Sequence, residues 1–221
     1  MLRQAWTLFR KDVAVELRSK DTLPLIVVFS VITLVVFNFA FDLRTDSTAL
    51  LAPGILWVSF FFAGILGLGR SFAREVEKGP LEGLRAAPVD PGALYLAKFA
   101  ANVLFVLVLQ AVVTPLVVVF FNAPVLQMPL LAILPLGAIG FAAVGTPFAA
   151  MAANTRAREA LLPILLLPVI MPVVIATVRA TALAIDGAPW SDLMSWINVL
   201  LVFDVVFTVV AFLSFHLVVE E

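Results

Sequence analysis

From Leu23 to Phe41 the chain runs nineteen residues without a charged side chain. That is about the 20 residues a helix needs to cross a bilayer core, and in lipid a spanning backbone must satisfy its own polar groups. Helix is the expected conformation, and Pro24 falls in the first turn, where its missing N–H does no harm. Long apolar runs recur over Leu50–Leu68, Leu94–Phe121, Leu130–Ala152, a proline-rich stretch from Ala160, and Trp196–Val219, the second interrupted by Lys98 and the last by Asp204. Composition agrees: 63% of residues are hydrophobic and 13% charged, where a soluble domain carries about 25% charge. The fold class is an all-α membrane protein with six transmembrane helices, one domain over residues 1–221.

The stretches between the spans have their own character. Residues 1–21 read as an amphipathic interfacial helix, with Leu2, Trp6, Phe9, Val13 and Leu17 at helical spacing and Arg3, Arg10, Lys11, Arg18 and Lys20 on the other faces. Gly64, Gly67 and Gly69 in the second span, and Gly145, Ala149 and Ala153 on one face of the fourth, allow close helix approach. Asn122-Ala123-Pro124 breaks the chain after span three. Pro163, Pro168 and Pro172 predict a kinked fifth span. Residues 179–195 mix apolar residues with Arg179, Asp186, Gly187, Pro189 and Asp192, and read as a periplasmic interfacial or re-entrant segment ahead of span six.

Direction follows from counting Lys and Arg, because cytoplasmic connections retain the positive charge. Twelve of the fourteen lie on the face that holds the N-terminal helix, the loop from Arg70 to Lys98 and the turn at Arg156, against Arg44 and Arg179 on the other. Both termini are expected in the cytoplasm. The absence of cysteine excludes disulfides, thiolate metal sites and Cys nucleophiles. A net charge of −1 gives no reason to expect nucleic acid as a partner.

The one long polar passage, a cytoplasmic coupling loop over residues 69–94, is the feature that the spans surround. No phosphate-binding glycine loop occurs anywhere, so this chain cannot cradle a nucleotide by that route and energy has to come from outside it. A helix of mixed charge from Phe72 to Lys78, stopped by Gly79-Pro80 and restarted at Leu81, suits docking of a soluble subunit. By composition alone a plain connecting loop fits equally well.

The run Arg-Glu-Val-Glu-Lys-Gly-Pro-Leu-Glu-Gly-Leu-Arg-Ala-Ala-Pro-Val-Asp at Arg74–Asp90 resembles the cytoplasmic signature of ABC-2 (type V) exporter permeases. With Gly67–Glu75 before it and Ala93–Lys98 after it, the chain more narrowly resembles the haem exporter B family, CcmB, over nearly its whole length. The resemblance implies a non-catalytic permease subunit of the bacterial inner membrane that serves cytochrome c maturation. It implies a cytoplasmic ABC ATPase that holds the ATP, a second copy of the chain, a haem-handling membrane protein and a haem chaperone as partners. Haem export, or release of a haem-loaded chaperone, is then the function. An ABC-2 exporter of polysaccharide, lipid or drug, or a non-transporting scaffold, is the alternative. Arg74, Glu75, Glu77, Gly79, Leu81, Glu82 and Pro88 carry over as the ATPase-docking surface. Pro80 departs from the pattern, where Cys or another small residue is expected.

Few residues offer chemistry. Haem iron is commonly held by His, Met, Cys or Tyr, and the only histidine, His216, lies at the cytoplasmic end of span six, where it reads as interfacial. The five methionines are scattered and read as packing. Tyr95 reads as an interface anchor. No catalytic residue and no metal site is assigned. Asp204 stands well inside span six, where a carboxylate costs roughly 2.5–3.5 kcal/mol on insertion scales. It reads either as an intramembrane gating or partner-contact site, or as a structural group bonded to Thr208 or to one of the amides Asn38, Asn102 and Gln110.

Overall fold

The computed structural model describes residues 1–18, 22–42, 50–77, 90–153, 155 and 157–220. Among these residues there are seven helices and no strand: α1 Leu2–Arg18, α2 Thr22–Asp42, α3 Ala52–Glu77, α4 Pro91–Phe121, α5 Leu130–Ala153, α6 Arg158–Ile185 and α7 Trp190–Glu220. Helices α3 to α7 each carry a stretch long and apolar enough to cross a membrane. Helix α2 has 21 residues, and its apolar stretch Ile26–Phe41 falls short of that length.

Helix ends follow local chemistry. Asp90 caps α4, its Oδ1 accepting from the N–H groups of Gly92 at 2.8 Å and Ala93 at 3.1 Å, while Pro91 takes the first helical position. Asn122, left-handed at φ 46°, closes the same helix. At the end of α6 Gly187 adopts φ +67°, and the N–H groups of Gly187 and Ala188 bond back to the carbonyls of Ala184 and Leu183. That is a glycine-terminated Schellman cap.

Helix boundaries divide residues 179–195: Arg179 belongs to the unbroken helix α6, α7 begins at Trp190, and 186–189 connect them. One exposed arginine among Ala, Thr, Val and Leu does not stop a helix, because all its backbone bonds remain available. The coupling loop shrinks for a similar reason. Helix α3 continues through Gly69 to Glu77, and α4 starts at Pro91, so both ends of the 69–94 segment are helix. The described part of the interfacial helix ends at Arg18, inside the expected 1–21.

Helix α5 lies at the centre and packs on α3, α4, α6 and α7, while α1 lies against α4. Small residues make α5 thin. Gly137 receives the Trp57 ring, Gly64 lies under Phe141, and Gly145 receives Leu68, so that α3 and α5 run parallel in a fixed register. These glycines therefore receive large side chains rather than a neighbouring backbone. The main core includes Trp57, Phe60, Phe141, Leu166 and Leu200, and a second small cluster of Leu94, Tyr95, Ala211 and Phe215 forms where α1, α4 and α7 meet.

Prolines inside the spans free carbonyls that other helices satisfy. Pro147 removes the N–H that would bond Ala143, and the buried Tyr95 hydroxyl donates to that carbonyl at 3.4 Å. The amides do similar work. Asn38 Nδ2 donates to the Phe120 carbonyl at 2.7 Å near the end of α4, and Gln110 Nε2 to the Leu134 carbonyl at 3.2 Å. Asn102 Nδ2 donates to Thr146 Oγ1 at 3.0 Å. Tyr95, Asn102 and Gln110 thus fasten residues 95–110 of α4 to α5.

Candidate functional site

The chemistry-bearing residues gather at the junction of α1, α4 and α7 and along the groove that leads from it into the membrane. Helix α1 turns two faces outward from its axis. Ala5 is buried and Leu8 packs against the Tyr95 and Phe215 cluster, whereas Leu2 and Trp6 are exposed, with Trp6 stacked on Phe9 at 5.5 Å. The protein-facing stripe also carries Asp12. Its Oδ2 lies 3.0 Å from Nζ of Lys98 on α4, and its Oδ1 lies 3.2 Å from Nζ of Lys11. The Lys98 side chain is 3% exposed, that of Asp12 12%. The Asp12–Lys98 contact is an ion pair at hydrogen-bond distance without the alignment of a directed bond.

Neither partner stands out in the sequence. Lys98 closes a polar passage and counts there as a loop charge, yet it lies in the second turn of α4 on the face of Leu94 and Tyr95. Its signal is an apolar run that already holds helical period around it. Asp12 is acidic within a basic helix, and it flanks the apolar stripe, which marks it as facing something other than water. Their separation of 86 positions hides the pairing.

Beside this pair, a groove of about 680 Å³ runs between α4, α5 and α7, with Phe9 of α1 among its lining residues. Its walls are apolar apart from Thr208 and Asp204. Asp204 is 5% exposed, and neither carboxyl oxygen has a hydrogen-bond partner among the described residues. Oδ1 packs against Gly140 so closely that a Cβ there would sit 2.6 Å from it. Asp204 is the fifteenth of the 31 residues of α7, roughly 20 Å from either end at 1.5 Å per residue. The structural alternative for Asp204 is not realised: Thr208 is the side-chain partner of Tyr95, and Asn38, Asn102 and Gln110 donate elsewhere.

The remaining site residues are placed as follows. Arg74, Glu75 and Glu77 lie on the last turns of α3, in helix continuous with the span. Gly79, Leu81, Glu82 and Pro88, with Pro80, lie outside the described residues. His216 is exposed near the end of α7, its Nδ1 2.8 Å from the Leu213 carbonyl. Tyr95 is fully buried and so is no interface anchor. No group of three or more His, Cys, Asp or Glu that could hold a metal occurs among the described residues.

The sequence profile of CcmB protein matches residues 3–220. The chain belongs to the CcmB family. This CcmB chain is similar to heme exporter protein B of Pseudomonas aeruginosa, 29% identical over 198 residues that make up 89% of the chain and 85% of that protein. It is 28% identical over 173 residues to heme exporter protein B of Rhodobacter capsulatus, covering 76% of the chain and 78% of that protein. Against heme exporter protein B of Escherichia coli the match is 30% over 97 residues, 44% of each. As a CcmB protein with five long apolar helices, it is a multi-pass membrane protein of the permease type.

Proposed function

We propose that this chain is the permease subunit of an ABC transporter complex for cytochrome c maturation, coupling a partner's ATP hydrolysis to haem export or to release of a haem-loaded chaperone. The observation that carries the reading is family membership across residues 3–220 on an all-helical bundle, together with the printed name of the relatives, heme exporter protein B. The chain forms a single domain over residues 1–221. In this reading α2 completes six spans, both termini face the cytoplasm of a bacterium, and the inner membrane is the location. The charge asymmetry supports the orientation.

The ATPase docks on the cytoplasmic end of α3 and the segment after it, through Arg74, Glu75, Glu77, Gly79, Leu81, Glu82 and Pro88. Continuity of α3 supports the coupling, since a push at Glu77 acts on a rod that reaches into the core. The chain supplies no catalytic group. It works as a pair of copies with two ATPase subunits, beside a haem-handling membrane protein. Asp204 acts within the membrane as the gating residue.

The test is ATP-dependent movement of haem by the purified permease–ATPase complex in sealed vesicles. Reversing charge at Glu75 or Glu82 should lower ATPase recruitment while the permease stays in the membrane. Asp204→Ala should lower cytochrome c maturation and His216→Ala leave it close to wild type. ATP hydrolysis with polysaccharide or lipid movement and no haem-linked output would reject the reading. Haem-protein assembly that persists with an ATPase-dead partner would favour a scaffold instead.

A further inference from the structure

At about 100° per residue, α1 divides into stripes that meet different surroundings. Ala5, Leu8, Asp12 and Glu16 form the stripe turned toward the protein: Ala5 is buried, Leu8 packs on the Tyr95 and Phe215 cluster, Asp12 meets Lys98, and Oε1 of Glu16 is buried. Beside it run Leu2, Trp6, Phe9 and Val13, with Leu2 and Trp6 exposed and Trp6 stacked on Phe9. On the far side of that apolar stripe from the protein stand Arg3, Thr7, Arg10 and Ala14, all four exposed. Both acids of α1 thus lie on the protein side, and the opposite edge of the apolar stripe carries only cations. Neither Arg3 nor Arg10 makes an ion pair among the described residues. We propose that Arg3 and Arg10 bind the headgroup phosphates of anionic phospholipids, so that α1 gathers negatively charged lipid beside its junction with α4. This goes beyond the exporter reading and does not depend on it.

The order of the stripes selects this occupant. An interfacial helix sinks its apolar face roughly 5–10 Å into the boundary between headgroups and acyl chains. With Leu2 and Trp6 at that depth, side chains one stripe further round stand at the level of the phosphates, where arginine lays its apolar stem along the acyl region and its charge in the headgroups. A guanidinium matches phosphate oxygens with paired N–H donors. Arg3 and Arg10 stand two turns apart, about 10 Å at 1.5 Å per residue, which gives each a headgroup of its own. A zwitterionic headgroup adds no net charge and gains less from the pair. An acidic segment of a soluble partner meets the arginines but leaves Leu2 and Trp6 without an apolar cover. Anionic lipid serves both stripes at once.

The test uses the full chain with a fluorophore on Thr7→Cys, between the two arginines in this cysteine-free sequence. It is reconstituted in phosphatidylcholine vesicles that contain a trace of acyl-chain nitroxide, carried in one series by phosphatidylglycerol and in the other by phosphatidylcholine. Quenching should favour the phosphatidylglycerol by about fivefold for each arginine that engages a headgroup, and rising salt should weaken the preference. Arg3→Gln with Arg10→Gln should abolish it. Arg3→Lys with Arg10→Lys, which keeps the charges, should retain most of it and so separates a lost headgroup contact from a disturbed helix. Arg179→Gln, an exposed arginine in the last turns of α6, should leave it intact. Equal quenching by the two lipids would overturn the proposal, as would a preference that survives the glutamine changes or disappears with Arg179→Gln. Loss of the ATPase subunit from the purified complex on the glutamine changes, with the lipid preference unmoved, would give this edge to a protein partner instead.

Discussion

Deleting Asp12 should do more harm than deleting Lys98, although both changes break the same contact. The pair joins α1 to α4 at 3.0 Å with the ammonium almost fully enclosed and the carboxylate at the edge of water. Asp12→Ala withdraws this carboxylate from the enclosed ammonium of Lys98. Removing one partner of a buried pair costs 3–5 kcal/mol, and the partial exposure of Asp12 puts the expected value near the lower end, about 3 kcal/mol. Lys98→Met removes the buried charge itself and leaves Asp12 with Lys11 at 3.2 Å, so about 1 kcal/mol or less is expected, as for apolar replacement of buried ions. The double variant should resemble Lys98→Met. The assay is labelling of a single cysteine at Leu8, which packs from α1 against the cluster of Leu94, Tyr95 and Phe215, by a water-soluble maleimide in membranes. A change of about 3 kcal/mol in the closure of α1 corresponds to roughly a hundredfold in labelling rate. Rates within about twofold of one another for all three variants would refute the idea that this pair fastens the helix. A double variant as damaging as Asp12→Ala would refute loss of this carboxylate from Lys98 as its cause.

Other consequences can be checked separately. Tyr95→Phe withdraws the donor from the Ala143 carbonyl and should cost about 0.6–1.7 kcal/mol in micellar unfolding, with the loss shrinking in a Pro147→Ala background that restores a backbone donor. Gly137→Ala drives a methyl into the Trp57 ring and should cost about 1–3 kcal/mol by overpacking, measured the same way. Single cysteines at Glu77, Arg158 or Glu221 should react from the cytoplasmic side, and at Asp46 or Gly187 from the opposite side.

Apolar length made most of the helices legible, since a span leaves little choice but helix, and the Asn122-Ala123-Pro124 break marked the end of α4, whose start at Pro91 lies three residues ahead of the expected Leu94. Arg179 misled because a charge looks like a boundary in hydropathy, whereas the stop signal was Gly187, eight residues on. Within the site, Asp204 was visible as a charge in the wrong solvent. Its neighbours were not, because Gly140 and the groove walls come from three helices whose register no local pattern records. The Asp12–Lys98 pair was hidden in the same way: each residue has an ordinary place in its own segment, and only packing of α1 on α4 brings them together. Asn38, Asn102 and Gln110 were recognisable as polar groups needing partners, but two of those partners are backbone carbonyls, which every residue has.

The three contacts between α3 and α5 have a mechanical meaning. Trp57 in the hollow of Gly137, Phe141 over Gly64 and Leu68 in the hollow of Gly145 work like the teeth of a key spaced along one edge. Small displacements of α3 along its axis push bulky side chains against the walls of their hollows, so α5 is dragged with it. Larger ones must lift all three out together and drop them about 5.4 Å further on, one helical turn. A load applied where α3 emerges at Glu77 is thus either passed whole to the central helix or released in a single click, and a gradual slip between the two is the one response this packing does not permit.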